Sequence, residues 1–169
     1  MNSDDISRWL ETRPLQDNPG QVESSAEAAL ASWDEWVKKG REIPDIENQL
    51  IRIMEGPEDP VTRSAAAMAL GFVGADQSVD ALLRALQSDV PTIAMEAAAS
   101  LGRIGKPEAV EPLCEALKHA DSNVRANAAT ALGTLGGDEA LRCLKSAEQD
   151  NDPFVQSAVA EALERSEQA

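Results

Sequence analysis

The dipeptide Leu-Gly returns at a fixed interval of 31 residues in this 169-residue chain. It occurs at Leu70-Gly71, Leu101-Gly102 and Leu132-Gly133. Three further sets of identical residues keep the same interval. The glycines are Gly74, Gly105 and Gly136, the leucines are Leu82, Leu113 and Leu144, and the alanines are Ala85, Ala116 and Ala147, and we call each such set a column of the repeat. A period of about 20 to 50 residues is the mark of a repeat protein, in which each unit packs only on its neighbours. The pattern therefore predicts a stack of similar units.

Each unit has the features of two helices. Asp59 is a side chain that caps helices and Pro60 suits the first turn, while Gly71 and Gly74 mark the end of the same helix. The second helix carries apolar residues at i, i+3, i+4 and i+7, namely Val79, Leu82, Leu83 and Leu86. Such a hairpin buries its apolar face only by stacking on copies of itself. We therefore predict an all-α fold, an α-solenoid (superhelix) of stacked helical hairpins.

The repeat also predicts how the chain is divided. Residues 1–20 are expected to form an N-terminal helix and a linker, since RPLQDNPG (13–20) contains two prolines and a glycine. Residues 21–58 repeat the second-helix pattern loosely and are expected to form a degenerate N-terminal capping repeat, with Ser24 to Glu27 as a capping box. Residues 59–169 hold the regular repeats. Their expected bounds are 59–89, 90–120, 121–151 and a half repeat, 152–169.

One stretch of the repeat resembles a known family. Asp121, Val124, Arg125, Ala128, Ala129, Ala131, Leu132 and Gly133 form the pattern D-x-x-V-R-x-x-A-A-x-A-L-G. This pattern, together with PEAVEPLCEAL (107–117), resembles the short HEAT-like repeat of the phycobilisome-lyase type over residues 59–169. The resemblance implies a scaffold, and some family members assist the attachment of bilins. The arginine column reads Arg63, Ala94, Arg125 and Gln156, so the family's contact between repeats is expected only in the first and third units.

The charge of the chain limits its partners. Thirty Asp and Glu residues against fifteen Lys and Arg give a formal net charge of −15. Duplex DNA and anionic membranes repel such a surface, so we expect no nucleic-acid and no membrane partner. A protein partner is expected, with a basic surface as one option, and the chain itself is expected to be a monomer or a weak homo-oligomer. No apolar run approaches the length of a membrane span and the N-terminus lacks the features of a signal peptide, which predicts a cytoplasmic location.

Side chains for chemistry are scarce, which predicts a protein that is not an enzyme and binds no cofactor or metal. Cys114 and Cys143 lie in Ala- and Leu-rich helical patterns without a CxxC spacing, so we interpret them as buried, reduced thiols. His119 is the single histidine, and its place at a helix end favours an exposed residue. Gly102 to Lys106 resembles the end of a P-loop, but Pro107 stands where Ser or Thr is required.

The three tryptophans, Trp9, Trp33 and Trp36, all lie in the N-terminal third. The simpler interpretation is that Trp33 and Trp36, three residues apart on one helix, pack against the first regular repeat. The alternative is that one of the three is an exposed anchor for a partner, since Trp is frequent in binding hot spots. A pocket for a small ligand between these helices and the first repeat is a weaker third option.

The remaining candidates for binding are polar positions of the second helices, which we expect to line the concave side of the solenoid. The candidate partner-binding residues are Arg84, Glu111, Glu115, Lys118 and Arg142, with Trp33 and Trp36. The main hypothesis is a non-enzymatic scaffold or adaptor that binds a protein through this ridge, the N-terminal segment, or both. The alternative is an accessory, chaperone-like subunit of a bilin lyase or a similar cofactor-attaching enzyme.

Overall fold

The computed structural model describes residues 3–12, 26–74 and 76–167, which contain helices and no strand. The predicted all-α fold, a stack of helical hairpins, is confirmed. The α-helices are α1 (Ser3–Glu11), α2 (Ala26–Arg41), α3 (Ile46–Glu55), α4 (Pro60–Val73), α5 (Asp76–Ala85), α6 (Pro91–Ile104), α7 (Val110–Ala116), α8 (Ser122–Leu135), α9 (Gly137–Ser146) and α10 (Pro153–Glu167). A single 3₁₀ turn (Pro107–Ala109) precedes α7. The predicted linker at 13–20 and the Ser24 cap lie outside the described residues.

The first helices of the hairpins, α4, α6, α8 and α10, pack on each other in sequence order. Glycines make this close approach possible. A Cβ atom on Gly102 would lie 2.9 Å from the Cα atom of Ala131, and one on Gly133 would lie 2.7 Å from the Cα atom of Ala162. Each of these pairs is 29 residues apart, so 29 is the offset at which neighbouring repeats touch.

The second glycine of each unit ends the first helix. Gly74, Gly105 and Gly136 each cap a helix and donate a backbone N–H to a leucine carbonyl four residues earlier. Gly105 and Gly136 have φ values of 76° and 67°, a region that L side chains rarely adopt. The sequence-based prediction that these glycines end helices is confirmed.

Aspartates begin three of the first helices. Asp59 accepts backbone N–H groups of Val61 (2.9 Å) and Thr62 (3.2 Å), and the Thr62 hydroxyl lowers the pKa of its carboxyl. Asp121 at α8 and Asp152 at α10 accept N–H groups in the same way. At the equivalent place before α6 stands Val90, whose side chain makes no cap.

The N-terminal helices are held by a pair of tryptophans. Trp9 of α1 and Trp36 of α2 stack with 4.1 Å between ring centroids, and the indole N–H of each donates to the backbone carbonyl of the other at 3.1 Å. Trp9 lies directly over Gly40, where any Cβ atom would overlap its ring. The helix of this N-terminal part that makes the main contact with α4 is α3, whereas α1 and α2 contact α4 less.

Candidate functional site

The second helices α3, α5, α7 and α9 form a layer, and side-chain bonds connect α3 to α5 and α7 to α9. Between α3 and α5, the Arg84 guanidinium donates to the Glu55 carboxylate from Nε (3.0 Å) and Nη2 (2.6 Å). Between α7 and α9, Cys114 and Cys143 form a disulfide. Both ties have the 29-residue offset that the first helices use.

Neither of these two ties is repeated between α5 and α7, because the residues at the corresponding positions are of other kinds. One period after Glu55 and Arg84 stand Leu86 and Glu115, and one period before the cysteines stand Leu83 and Pro112. Among the neighbouring second helices, α5 and α7 are packed least closely. An open cleft of about 400 Å³ lies between them.

We call this space the second cleft. Its lining consists of Leu86, Gln87, Glu111, Pro112, Glu115, Ala116, Lys118 and His119. Leu86 and Ala116 are buried and form an apolar base, while Gln87, Glu111 and Lys118 are exposed at the rim. An apolar base with a few polar groups at the rim is the usual composition of a site that binds a ligand or a peptide segment.

The charges at the rim of the second cleft are unevenly paired. Lys118 Nζ lies 3.0 Å from Glu115 Oε1, and both side chains are largely exposed, so this pair contributes little to stability. Glu111 makes no ion pair or hydrogen bond with the described residues, which leaves its carboxylate free. His119 is half-buried at the edge of the cleft, and its Nδ1 accepts the backbone N–H of Asp121 at 3.0 Å. The cleft therefore has an excess of negative charge.

The space between the ends of α3 and α5, which we call the first cleft, has a volume of about 340 Å³. It lies one repeat before the second cleft, and its lining consists of Met54, Glu55, Arg63, Arg84, Ala85, Ser88 and Ile93. Two arginines and one glutamate give it a positive balance, opposite to that of the second cleft.

The disulfide corrects the interpretation of the cysteines as reduced thiols. Cys114 and Cys143 are bonded, with 5.6 Å between their Cα atoms, and no free cysteine remains. The signal that could have predicted it is the offset of 29 residues, since residues at that spacing face each other across neighbouring repeats.

Arg125 joins α8 to the loop after α9. Its Nε and Nη2 donate to the two carboxylate oxygens of Asp150 at 2.8 and 2.9 Å, and its Nη1 donates to the His119 carbonyl at 2.8 Å. Both side chains of the ion pair are about nine-tenths buried. The hydrogen bonds from Arg125 hold the pKa of the Asp150 carboxyl below its ordinary value.

The other members of the arginine column behave differently. Arg63 donates from Nε to the Met54 carbonyl at 2.8 Å, and Gln156 donates to the Asp150 carbonyl at 2.6 Å. Ala94 has no side chain that could reach the preceding repeat. The contact of the arginine column with the preceding repeat is therefore missing at Ala94, as the sequence predicted. Gln156, which has a shorter side chain than arginine, still contacts the preceding repeat.

The structure places the predicted binding residues in several environments. Glu111, Glu115 and Lys118 meet at the second cleft, whereas Arg84 lines the first cleft in its pair with Glu55. Arg142 is exposed on α9 and lines neither cleft. The structure thus brings together three of the five predicted ridge residues.

The two predicted tryptophans lie at the junction with the first regular repeat. Trp36 is only 4% exposed, whereas Trp33 is half-buried and stacks on Phe72 with 5.3 Å between ring centroids. The guanidinium carbon of Arg103 lies 4.5 Å from the centroid of the Phe72 ring. Both tryptophans pack as the simpler interpretation expected, and Trp36 presents almost no surface to a partner.

Within the part of the chain that the structure describes, no group of three or more His, Cys, Asp or Glu residues is placed to hold a metal ion. No helix there is both long and apolar enough to cross a lipid bilayer.

The stacked hairpins define the class of protein as an α-solenoid built from short helical repeats. Within this class the chain belongs to the HEAT repeat family, whose sequence model matches residues 13–100, 46–119 and 91–164. No curated protein matches the sequence.

Similar folds occur among solved structures. Human deoxyhypusine hydroxylase, in a complex with glycerol, has a TM-score of 0.65 and 20% identity over 98% of this chain and 63% of that chain. The chain thus spans less than two thirds of that enzyme's length. The complex of CpcE and CpcF of phycocyanin lyase from a Nostoc species has a TM-score of 0.66 and 21% identity over 92% of this chain and 67% of that chain.

An engineered protein is also similar, with a TM-score of 0.50 and 21% identity over the whole of both chains. At such identities the likenesses show the fold alone. The likeness to phycocyanin lyase agrees with the phycobilisome-lyase type of repeat that the sequence predicted.

Proposed function

We propose that this protein is a non-catalytic adaptor that binds a segment of a partner protein in the second cleft. One observation carries the proposal. The cleft lies at the junction where neither the Glu55–Arg84 type of ion pair nor a disulfide is repeated. It is therefore open at the point where the sequence provides an apolar base and a free carboxylate.

The charge of the cleft indicates which segment fits. Glu111 has no partner among the described residues, and Glu115 shares the single Lys118. A Lys or Arg side chain of a bound segment can pair with Glu111, while its aliphatic part and a neighbouring apolar residue cover Leu86 and Pro112. The overall charge of −15 favours the approach of such a segment at low ionic strength.

A fluorescent eight-residue peptide of alternating lysine and leucine is a suitable probe. Its affinity is measured by fluorescence anisotropy for the wild-type chain and for the variants Glu111→Gln and Glu148→Gln. We expect Glu111→Gln to weaken binding about threefold, in the range of an exposed ion pair, and Glu148→Gln to change it little. Glu148 is the matched control because it is an exposed acid outside the cleft.

A second variant, Ala116→Trp, tests the cleft itself rather than its charge. Ala116 is buried at the base, and a large side chain there would occupy the space of the ligand. We expect the peptide affinity to fall at least tenfold while the helical circular dichroism is kept. Equal binding by the wild type, Glu111→Gln and Ala116→Trp would place the peptide elsewhere and end the proposal.

The alternative role as an accessory subunit of a bilin lyase draws support from the fold likeness only. No residue that the structure describes favours that role over an adaptor. Incubation with a bilin and an apo-phycobiliprotein, with fluorescence as the readout, addresses it directly.

A further inference from the structure

Arg63 and Arg125 occupy the same column of the repeat, two periods apart, but their surroundings differ. The guanidinium of Arg125 donates to Asp150, to Asn151 and to the carbonyls of His119 and Ala120. The guanidinium of Arg63 makes one hydrogen bond, from Nε to the Met54 carbonyl. Its two terminal nitrogens have no partner among the described residues.

The reason lies 25 residues further along the chain. That position is Asp150 in the third unit and Ser88 in the first. The local turn is the same in both, because the Val90 N–H donates to Ser88 Oγ at 3.2 Å, as the Asp152 N–H donates to Asp150 Oδ1 at 2.9 Å. Ser88 therefore takes over the role of Asp150 in the turn but supplies no carboxylate to the arginine.

The position at which the first unit lacks this carboxylate borders the first cleft. Arg63 and Ser88 both line the first cleft, together with the Arg84–Glu55 pair and the apolar side chains of Met54 and Ile93. Two guanidinium groups and one carboxylate leave one positive charge in the cleft, although the chain as a whole is strongly acidic. Guanidinium groups stay charged at all physiological pH values and pair best with carboxylates, often through two hydrogen bonds.

We propose that the first cleft binds a carboxylate, which the two terminal nitrogens of Arg63 hold next to Ser88. The group is supplied by a ligand, either a free carboxylic acid or a Glu or Asp side chain of a bound protein. This site is distinct from the second cleft and attracts the opposite charge. Its binding does not depend on the adaptor function proposed above.

The first test supplies the carboxylate from within the chain. In Ser88→Asp the new side chain can pair with Arg63, so we expect the melting temperature to rise by several degrees relative to the isosteric control Ser88→Asn. The same change in an Arg63→Gln background is expected to give no gain, because the arginine is gone. A gain in stability that is equal in both backgrounds, or no gain in either, would contradict the inference.

The second test supplies the carboxylate from solution. The Nε–H resonance of Arg63 is followed by NMR during titration with glutarate, and with the peptides acetyl-Ala-Glu-Ala-amide and acetyl-Ala-Gln-Ala-amide. We expect the resonance to shift with glutarate and the Glu peptide but not with the Gln peptide or with sodium chloride of equal ionic strength. In Ser88→Asp the resonance should start near its shifted position and respond at least tenfold less.

The two ligands also distinguish the source of the carboxylate. Tighter binding of the Glu peptide assigns the site to a protein partner, and tighter binding of glutarate assigns it to a small acid. If the Arg63 resonance moves with neither ligand, or equally with the Gln peptide, the site does not exist. Ser88→Asp and Arg63→Gln lie outside the second cleft, so the lysine-leucine peptide should bind both variants as it binds the wild type.

Discussion

The junction between α7 and α9 is built from the same repeat as the junction between α5 and α7. The two junctions differ in the side chains at their corresponding positions. The first is held by the Cys114–Cys143 disulfide and by the buried Arg125–Asp150 pair. The second has Leu83 and Pro112 in place of the cysteines, and Ala94 in place of the arginine. The repeats therefore stack at both junctions through the same apolar columns, whereas the disulfide and the Arg125–Asp150 pair occur at only one of them.

The largest effect is expected from opening the closed junction. Replacing both cysteines by serine should lower the free energy of unfolding by about 3 kcal/mol, because the unfolded chain is no longer constrained by the cross-link. The measurement is denaturant unfolding followed by circular dichroism, with reduced wild type as a second sample. The serine variant itself should not respond to reductant, and a wild type that is equally stable in both redox states would show that the bond does not hold the junction.

A slightly smaller effect is expected from Arg125→Met, which leaves the Asp150 carboxylate buried without a partner and should cost about 3 kcal/mol or less. The matched change Arg63→Met removes one hydrogen bond to a carbonyl and should cost about 1 kcal/mol. Circular dichroism is again the readout, since all three tryptophans lie before residue 37 and report only on the N-terminal helices. Equal losses in the two variants would remove the distinction drawn between the two arginines.

An N-cap can be added to α6, which precedes α7 in the hairpin that borders the second cleft. This change should stabilise the protein rather than destabilise it. Val90 has extended backbone angles before Pro91, as Asp59 has before Pro60, so Val90→Asp should cap α6 and raise the free energy of unfolding by about 1 kcal/mol. Asp121→Ala should remove a cap of equal size from α8. A Val90→Asp variant that is no more stable than Val90→Ala would show that other features set the stability of this hairpin.

The smallest effect on stability is expected from lowering the pH. Because Arg125 lowers the pKa of Asp150 in the folded state, the carboxylate contributes stability above the pKa of an unfolded Asp, about 3.9. That contribution is lost as the pH falls through the lower folded pKa. The stability difference between wild type and Asp150→Asn should therefore be constant above about pH 5 and shrink below about pH 4. A difference that stays constant from pH 7 to pH 2 would indicate that the pair is not charged.

The sequence predicts those features of the candidate site that a single helix determines, and it does not predict those that depend on contacts between helices. Glu111, Glu115 and Lys118 were predictable as exposed positions of a second helix, because the apolar stripe defines which faces remain for solvent. Their convergence at a cleft was not, because it depends on the spacing of α5 and α7 rather than on either helix. Arg84 and Arg142 share the same pattern, yet one pairs with Glu55 and the other lies away from both clefts.

The sequence by itself determined the repeat, its two helices and the stacking, since a 31-residue period of apolar and glycine columns leaves a hairpin no other way to bury its face. It also determined where the helices end, because Gly74, Gly105 and Gly136 favour that turn wherever they occur. Only the tertiary structure decided which distant residues meet. The Trp9–Trp36 bonds, the Cys114–Cys143 disulfide and the hydrogen bond from Arg63 to the Met54 carbonyl all depend on the offset between neighbouring helices. That offset follows from how closely the packed surfaces approach, which no single helix specifies.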